Sequence, residues 1–506
     1  MAAGEQRQPA AGSAGEAGRQ VFDLLIHGGT IIDGTGRPRF DADVGVRDGR
    51  IVFVGDGRDA AAARRIDARG LVVAPGFIDC HTHDDRALLS SPEMTPKVSQ
   101  GVTTVVTGNC GVSLAPTAQG LRRPTPAPLD LLDQEGHWFR FPTFAAYLEA
   151  LRRDAPAVNT APMIGHTTLR LVVMDRVDRQ ATPAEIARMQ ELVEEALQAG
   201  AVGCSSGLFY EPAAAATTEE VIEVFEPLRR HGGVYCAHMR NEGDDIFAAM
   251  DETLRIGREL GVAAVISHHK VIGLSNHGRS TQTLPFIAAR MKEQPLCLDC
   301  YPYAASSTVL SEHRAAIAAR VKITWSRPHP EHNGRDLADV AAELGLGRAE
   351  TIERLLPAGA IYFSMAEDDV QRILSFAETM IGSDGIPHDA IPHPRLWGTF
   401  PRVLGHYSRD LQLFPLEAAV RKMTGLTARN FGLQDRGEIR VGAWADITLF
   451  DAGTIADAAD FERSTQPATG IASVLVNGEP VWHGGAATGA RPGRVLARAA
   501  RPAPAN

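Results

Sequence analysis

The stretch Ala74-Pro-Gly-Phe-Ile-Asp-Cys-His81-Thr-His83-Asp-Asp85 decides the fold. A short apolar run from Leu71 to Ile78 ends in two histidines one residue apart. Residues i and i+2 of a strand project to one face, so His81 and His83 point the same way and Thr82 the other. Two imidazoles at a strand end can grip one metal ion. The competing reading, two polar residues closing a buried strand, is weighed by what other strand ends carry.

Further strand-like runs alternate with helical ones through the middle of the chain, ending near His83, Cys110, His166, Gly207, His238, His268, Tyr301 and Asp384. About eight such units close a parallel barrel when a helix follows each strand, and the catalytic groups of such barrels sit at the C-terminal strand ends. Cys110, His238, His268 and Asp384 stand at four of those ends, and their mixed S, N and O character suits zinc. Thr182-Pro-Ala-Glu185 and Thr217-x-x-Glu220 open helices over Ile186 to Gln198 and Val221 to Arg230. A third helix runs from Asp244 to Leu260, ended by Gly261, and the longer spacing between Tyr303 and Glu378 predicts a mostly helical insertion.

The two ends of the chain are short β. Asp23 to His27, Thr30 to Ile32, Ala42 to Val46 and Arg50 to Val54 precede the barrel, and Ala445 to Phe450 and Ala472 to Gly478 follow it. Neither block makes a good sandwich alone, so the ends are expected to pair. The organisation read from the sequence is a composite β domain from 21–73 and 433–485, around a barrel over 74–432 with an insertion near 304–378. Tails at 1–20 and 486–506 are expected to be disordered.

Hydrophobic content of 44% and charged content of 22% across 506 residues are ordinary for a soluble globular protein. A net charge of -10 without a basic stripe argues against nucleic acid as a partner. No apolar run is long enough to span a bilayer. Six scattered cysteines and a first segment without an apolar core lead to a cytoplasmic expectation.

Other polar residues read less sharply. His269 follows His268 and faces the opposite way, so it reads as packing, and His166 reads as a hydrogen-bonded loop residue. Cys297-x-x-Cys300 has no second pair and reads as two strand-core thiols. His388 and His393 lie in a Pro-rich loop, where a surface role competes with substrate contact.

Taken with Gly101-Val-Thr-Thr-Val-Val-Thr-Gly-Asn-Cys-Gly111, Ser205-Ser-Gly-Leu-Phe-Tyr-Glu-Pro212, His238-Met-Arg-Asn-Glu-Gly243, Ile266-Ser-His-His-Lys270, Tyr301-Pro-Tyr303 and Ile381-Gly-Ser-Asp-Gly385, the first motif resembles the amidohydrolase superfamily, and within it the N-acyl-D-amino-acid deacylases (D-aminoacylases). The resemblance runs from about Phe22 to His483. It implies an α/β fold, a (β/α)8 barrel of TIM type with a composite β domain. It also implies zinc, tightly held by Cys110, His238 and His268, with His81, His83 and Asp384 facing a weaker second site. The fourth strand, Ala201 to Gly207, lacks the carboxylated lysine of many binuclear relatives, and Cys110 takes its place. The working metal count, one or two, stays open.

The expected reaction is zinc-dependent hydrolysis of a linear amide, an N-acyl-D-amino acid, to a carboxylate and a free D-amino acid. Asp384 is the expected proton carrier. Lys270, two residues beyond His268, is expected to hold the substrate α-carboxylate with Tyr210, Tyr301, Ser307 and Arg395, as the resemblance implies. Two alternatives stand beside it: an amidohydrolase acting on cyclic amides such as hydantoins or dihydroorotate-like rings, and a non-catalytic barrel. No membrane partner is expected, and the oligomeric state is not read from the sequence.

Overall fold

The computed structural model describes residues 21–117, 121 and 125–498. The tail expected at 1–20 and residues 499–506 lie outside them. Eight strands run parallel and adjacent in chain order: Phe77–Asp79, Val102–Thr107, Asn159–Pro162 continued by Ile164–Gly165, Gly203–Gly207, Val234–His238, Ala263–Ile266, Leu296–Cys300 and Thr379–Ile381. The ring closes where Thr82 pairs in parallel with Gly385 and the Asp384 N–H donates to His81 O at 2.7 Å. The seam of the barrel is therefore made by site residues. Parallel strands are covered on both faces, which is why they read as continuous apolar runs. Ile78, Val106, Met163, Val202, Cys236, Val265, Cys297 and Met380 fill the inside.

Helix starts follow the capping chemistry. Thr182 and Glu185 form a reciprocal capping box on Pro183–Ala199. Thr217 accepts from the Glu220 N–H, but the helix it opens stops at Val224 and resumes as Leu228–His231, because Pro227 interrupts it. Ile246–Leu260 ends on Gly261 at φ 67°, a left-handed cap that glycine adopts without strain.

The chain ends meet in one nine-stranded sheet. Val72–Pro75, leading into the barrel, pairs antiparallel with Ile447–Phe450, which comes after it. The insertion differs from the mostly helical reading. Ser306–Val309, Ala358–Phe363 and Arg320–Ser326 form an antiparallel sheet beside helices Leu337–Leu344 and Arg348–Leu355. Short apolar runs such as Ala358–Phe363 carry no period that separates a strand from a buried helix turn. The expectation of a disordered tail from 486 also fails for its described part. Ala486–Ala487 is a strand, Val495 pairs with Thr160, and Leu496 N–H donates to Thr160 O at 2.7 Å. Backbone pairing at the foot of the barrel orders a segment whose composition looks unstructured. Among the described residues no helix is long and apolar enough to cross a membrane.

Candidate metal centre

Strand Phe77–Asp79 stops two residues before His81, and the chain then bends into the barrel mouth. Thr82 Oγ1 turns away to donate to Val106 O at 3.0 Å, which leaves both neighbouring imidazoles facing the centre. Gly382 permits this, since a Cβ there would lie 2.5 Å from His81 Cβ. His81 Nε2 lies 3.2 Å from Cys110 Sγ, and Cys110 Sγ lies 3.4 Å from His268 Nε2. His268 Nε2 is in turn 2.9 Å from His238 Nδ1. Asp384 Oδ1 is 3.3 Å from His83 Nε2 and 3.6 Å from His81 Nε2. The six expected donors therefore meet at one place, all of them buried.

Three of them pay for that position in backbone strain. Cys110, His268 and Asp384 have φ of 56°, 36° and 50°, a region non-glycine residues rarely occupy. Such residues cost about 1–3 kcal/mol each and gather at functional sites. Here the strain turns each side chain from its strand end into the mouth.

The electrostatics follow from packing anions among imidazoles. Burial pushes the Cys110 thiol up, but His81 and His268 overturn this and hold it well below the usual thiol value. Burial likewise opposes ionisation of Asp384, yet Arg395 and the histidines keep its carboxyl well below the ordinary range. Burial would lower His83, but Asp384 and Cys110 push it up to about 9. His238 goes the other way, down to about 4, chiefly by burial. A thiolate, a carboxylate and imidazoles that give up their protons when they ligate make a donor set for a dication. His81, Cys110, His268 and Asp384 each offer a ligand atom, all within 4.8 Å of one another. The ring nitrogens His83 Nδ1 and His238 Nε2 are buried without a hydrogen-bond partner. The residues fit a zinc-type ion with S, N and O ligands.

Around this centre stand carboxylates that the sequence reading missed. Asp299 Oδ1 accepts from the His268 N–H at 2.8 Å and lies 3.5 Å from His81 Nδ1. Glu242 Oε1 lies 3.1 Å from His268 Nδ1. A lone aspartate inside the apolar strand Leu296–Cys300, and a glutamate four residues after His238, were the available signals. Lys97, fully buried, joins Asp79 Oδ2 at 2.8 Å and Ser383 Oγ at 2.9 Å, fixing the turn that carries Asp384.

The expected substrate residues lie close by in different states. Arg395 Nη1 is 2.9 Å from Asp384 Oδ2, and its Nη2 donates to Ser307 O at 3.0 Å. Neither Nε nor Nη1 makes an aligned hydrogen bond, although the guanidinium is buried. Tyr301 lies between two cations, its ring 4.6 Å from Arg395 Cζ and 5.8 Å from Lys270 Nζ, while its hydroxyl faces Met365. The Tyr210 ring lies 4.9 Å from that of His238, tilted by 51°, and its hydroxyl bonds Thr308 Oγ1. Ser307 Oγ is buried without a partner. Lys270 is not a free cation: its ammonium meets Glu242 Oε1 at 2.5 Å, His268 Nδ1 at 2.8 Å and His268 O at 3.2 Å.

His269 bonds Thr283 away from the centre, and His166 packs on Phe225 beside Glu220. His393 is buried, against the surface reading. Its Nδ1 accepts the Arg395 N–H at 3.0 Å and its Nε2 lies 3.1 Å from Ala305 O, which orients the arginine.

The Amidohydrolase family model matches residues 64–260 and 352–482. A D-aminoacylase of Alcaligenes xylosoxydans xylosoxydans is 61% identical over 95% of this chain and 99% of its own. A solved D-aminoacylase with a binuclear metal centre superposes with a TM-score of 0.92 at 60% identity, covering 94% of this chain and 100% of that one. The N-acyl-D-glutamate deacylase of Bordetella bronchiseptica, solved with zinc and a phosphonate mimic of the tetrahedral intermediate, gives 0.90 at 47% identity over the same shares. Sequence, barrel and metal-type cluster agree, and the chain belongs to the amidohydrolase family, among the N-acyl-D-amino-acid deacylases.

Proposed function

We propose that the protein is a zinc-dependent hydrolase of N-acyl-D-amino acids, releasing a carboxylate and a free D-amino acid. The observation that carries this reading is the buried Cys110–His268–His238 cluster set against the Asp384–Arg395 pair. A thiolate takes the place where a lysine on Gly203–Gly207 would otherwise serve, and that strand carries none. Relatives named for this chemistry span the chain.

Cys110, His238 and His268 would hold the tight zinc, and His81, His83 and Asp384 border a weaker second position. Zinc supplies Lewis acidity toward the acyl carbonyl and the attacking water. Asp384, held ionised, accepts a proton from that water and returns it to the leaving nitrogen. The nitrogen needs the proton because an amide anion is a poor leaving group.

Arg395 offers the α-carboxylate its unpartnered Nε, with Ser307 Oγ beside it and Tyr301 under its face. Tyr210 walls the side nearest His238. Lys270 joins this clamp only by exchanging one of its three acceptors. With His268 bonded through Nε2, Nδ1 carries a proton and is no longer an acceptor, so one ammonium N–H turns free. Chirality is read because amide, carboxylate and side chain are all fixed, and inversion displaces one of them.

Replacing Arg395 by alanine should cost about 2–5 kcal/mol in kcat/KM on free-acid substrates, by analogy with truncating a buried charge pair. The loss should shrink where the α-carboxylate is masked as a primary amide; an equal loss on both places the clamp elsewhere. All six cysteines are unpaired and buried, which supports a cytoplasmic location. Chiral product analysis across N-acetyl-D- and N-acetyl-L-amino acids tests the whole reading. Zinc-dependent release of D products supports it. Equal cleavage of L substrates, or hydantoin opening without deacylation, overturns it.

A further inference from the structure

Glu242 occupies a point that neither the ligand set nor the clamp explains. It follows His238 by four residues, and its side chain is almost wholly removed from solvent. Oε1 lies 3.1 Å from His268 Nδ1 and 2.5 Å from Lys270 Nζ. Oε2 lies 3.4 Å from Arg314 Nη2 and 3.9 Å from His238 Nε2. One carboxylate thus meets the outward nitrogen of His268 and two buried cations, and faces the unpartnered Nε2 of His238. Arg314 has little else to satisfy it: its guanidinium lies 4.2 Å over the Phe209 ring, and its buried Nε has no hydrogen-bond partner.

We propose that Glu242 is a positioning residue that ties the tight metal site to the cationic wall of the substrate pocket; this rests on the function proposed above. The argument turns on donors and acceptors. His268 Nε2 faces Cys110 and His238, so Nδ1 must carry the proton when Nε2 serves as a ligand. Nδ1 stands 2.8 Å from the Lys270 ammonium nitrogen, which has only donors. Two donors at that distance repel unless one acceptor serves both, and Glu242 Oε1 is placed to do so. It fixes the His268 tautomer, raises the basicity of the ligating nitrogen and holds Lys270 at the pocket wall. Arg314 draws on the same carboxylate and so weakens its hold on His268.

This assigns opposite signs to two substitutions. Glu242→Gln keeps the shape but loses the charge, and its amide must choose between donors. Its zinc affinity, read by competition with a chelator on protein shown to be folded by thermal melting, should fall about 10–100-fold, the usual range for such partners. Arg314→Gln removes the competitor and should leave zinc affinity unchanged or tighter. A role in packing alone would weaken both. In kinetics, Glu242→Gln should raise KM for free-acid substrates more than for amide-masked ones. The affinity measurement needs no turnover, so it stands even if the deacylase reading fails. Wild-type zinc affinity in Glu242→Gln, or an equal loss in both variants, overturns the proposal. If Glu242→Gln does not fold, Arg314→Gln decides alone: weakened zinc binding there refutes it, and unchanged or tighter binding supports it.

Discussion

Asp384→Asn should lower turnover by roughly two or more orders of magnitude, the range of general acid–base catalysis, with the tight zinc largely retained. Asparagine is among the few residues that accept a left-handed backbone, so the φ of 50° at this position adds no new strain. The turn is held independently, by Lys97 through Ser383 and by the Ser383 N–H donating to Asp79 Oδ1 at 2.8 Å. What the substitution removes is the proton acceptor and the charge that pairs with Arg395 and His83. The proposed tight trio of Cys110, His238 and His268 stays intact, which separates loss of proton transfer from loss of metal. Elemental analysis beside single-turnover kinetics makes the distinction. A zinc-loaded Asn variant with near-normal turnover would remove Asp384 from the role.

The gathering of the candidate donors was legible because each closes an apolar run, and a barrel brings strand ends to one mouth. His81, Cys110, His238, His268 and Asp384 needed no tertiary information beyond that rule. The residues around them did not obey it. Glu242 lies past the end of Val234–His238 in a loop, and its value comes from facing His268, which sits in the turn just beyond the next strand, Ala263–Ile266. The two-residue offset from His268 gives Lys270 its direction, but the carboxylate that occupies its ammonium comes from elsewhere in the chain. Spacing gives direction along one element and says nothing of which neighbour arrives first. The same limit hid the antiparallel sheet of the insertion and the pairing of Val495 with Thr160, since both depend on contacts between distant segments. His393 read as a surface loop residue, and its burial was hidden because holding the Arg395 N–H is a backbone contact with no sequence signature.

Cys110→Ala should strip most of the tightly bound zinc and with it the activity, while the barrel stays folded. Alanine carries the same Cβ as cysteine, so the left-handed φ of 56° is no harder to hold, and the turn keeps its other ties. Gly108 N–H still donates to Asp85 Oδ2 at 3.2 Å and Gly111 N–H to Ser205 Oγ at 2.9 Å. The lost atom is the thiolate that lies against both His81 and His268. A ligand that binds only the folded state stabilises it by mass action, about 2.7 kcal/mol at one hundred times its dissociation constant. Chelation should therefore lower the wild-type melting temperature and leave that of Cys110→Ala almost unmoved, the two metal-free proteins melting close together. If Cys110 were only a buried packing thiol, the variant would keep its zinc and its response to chelator and would lose a small increment of stability in both states. Full zinc content with a wild-type chelator shift would therefore refute the ligand assignment, and the thermal measurement reads that outcome without any assay of catalysis.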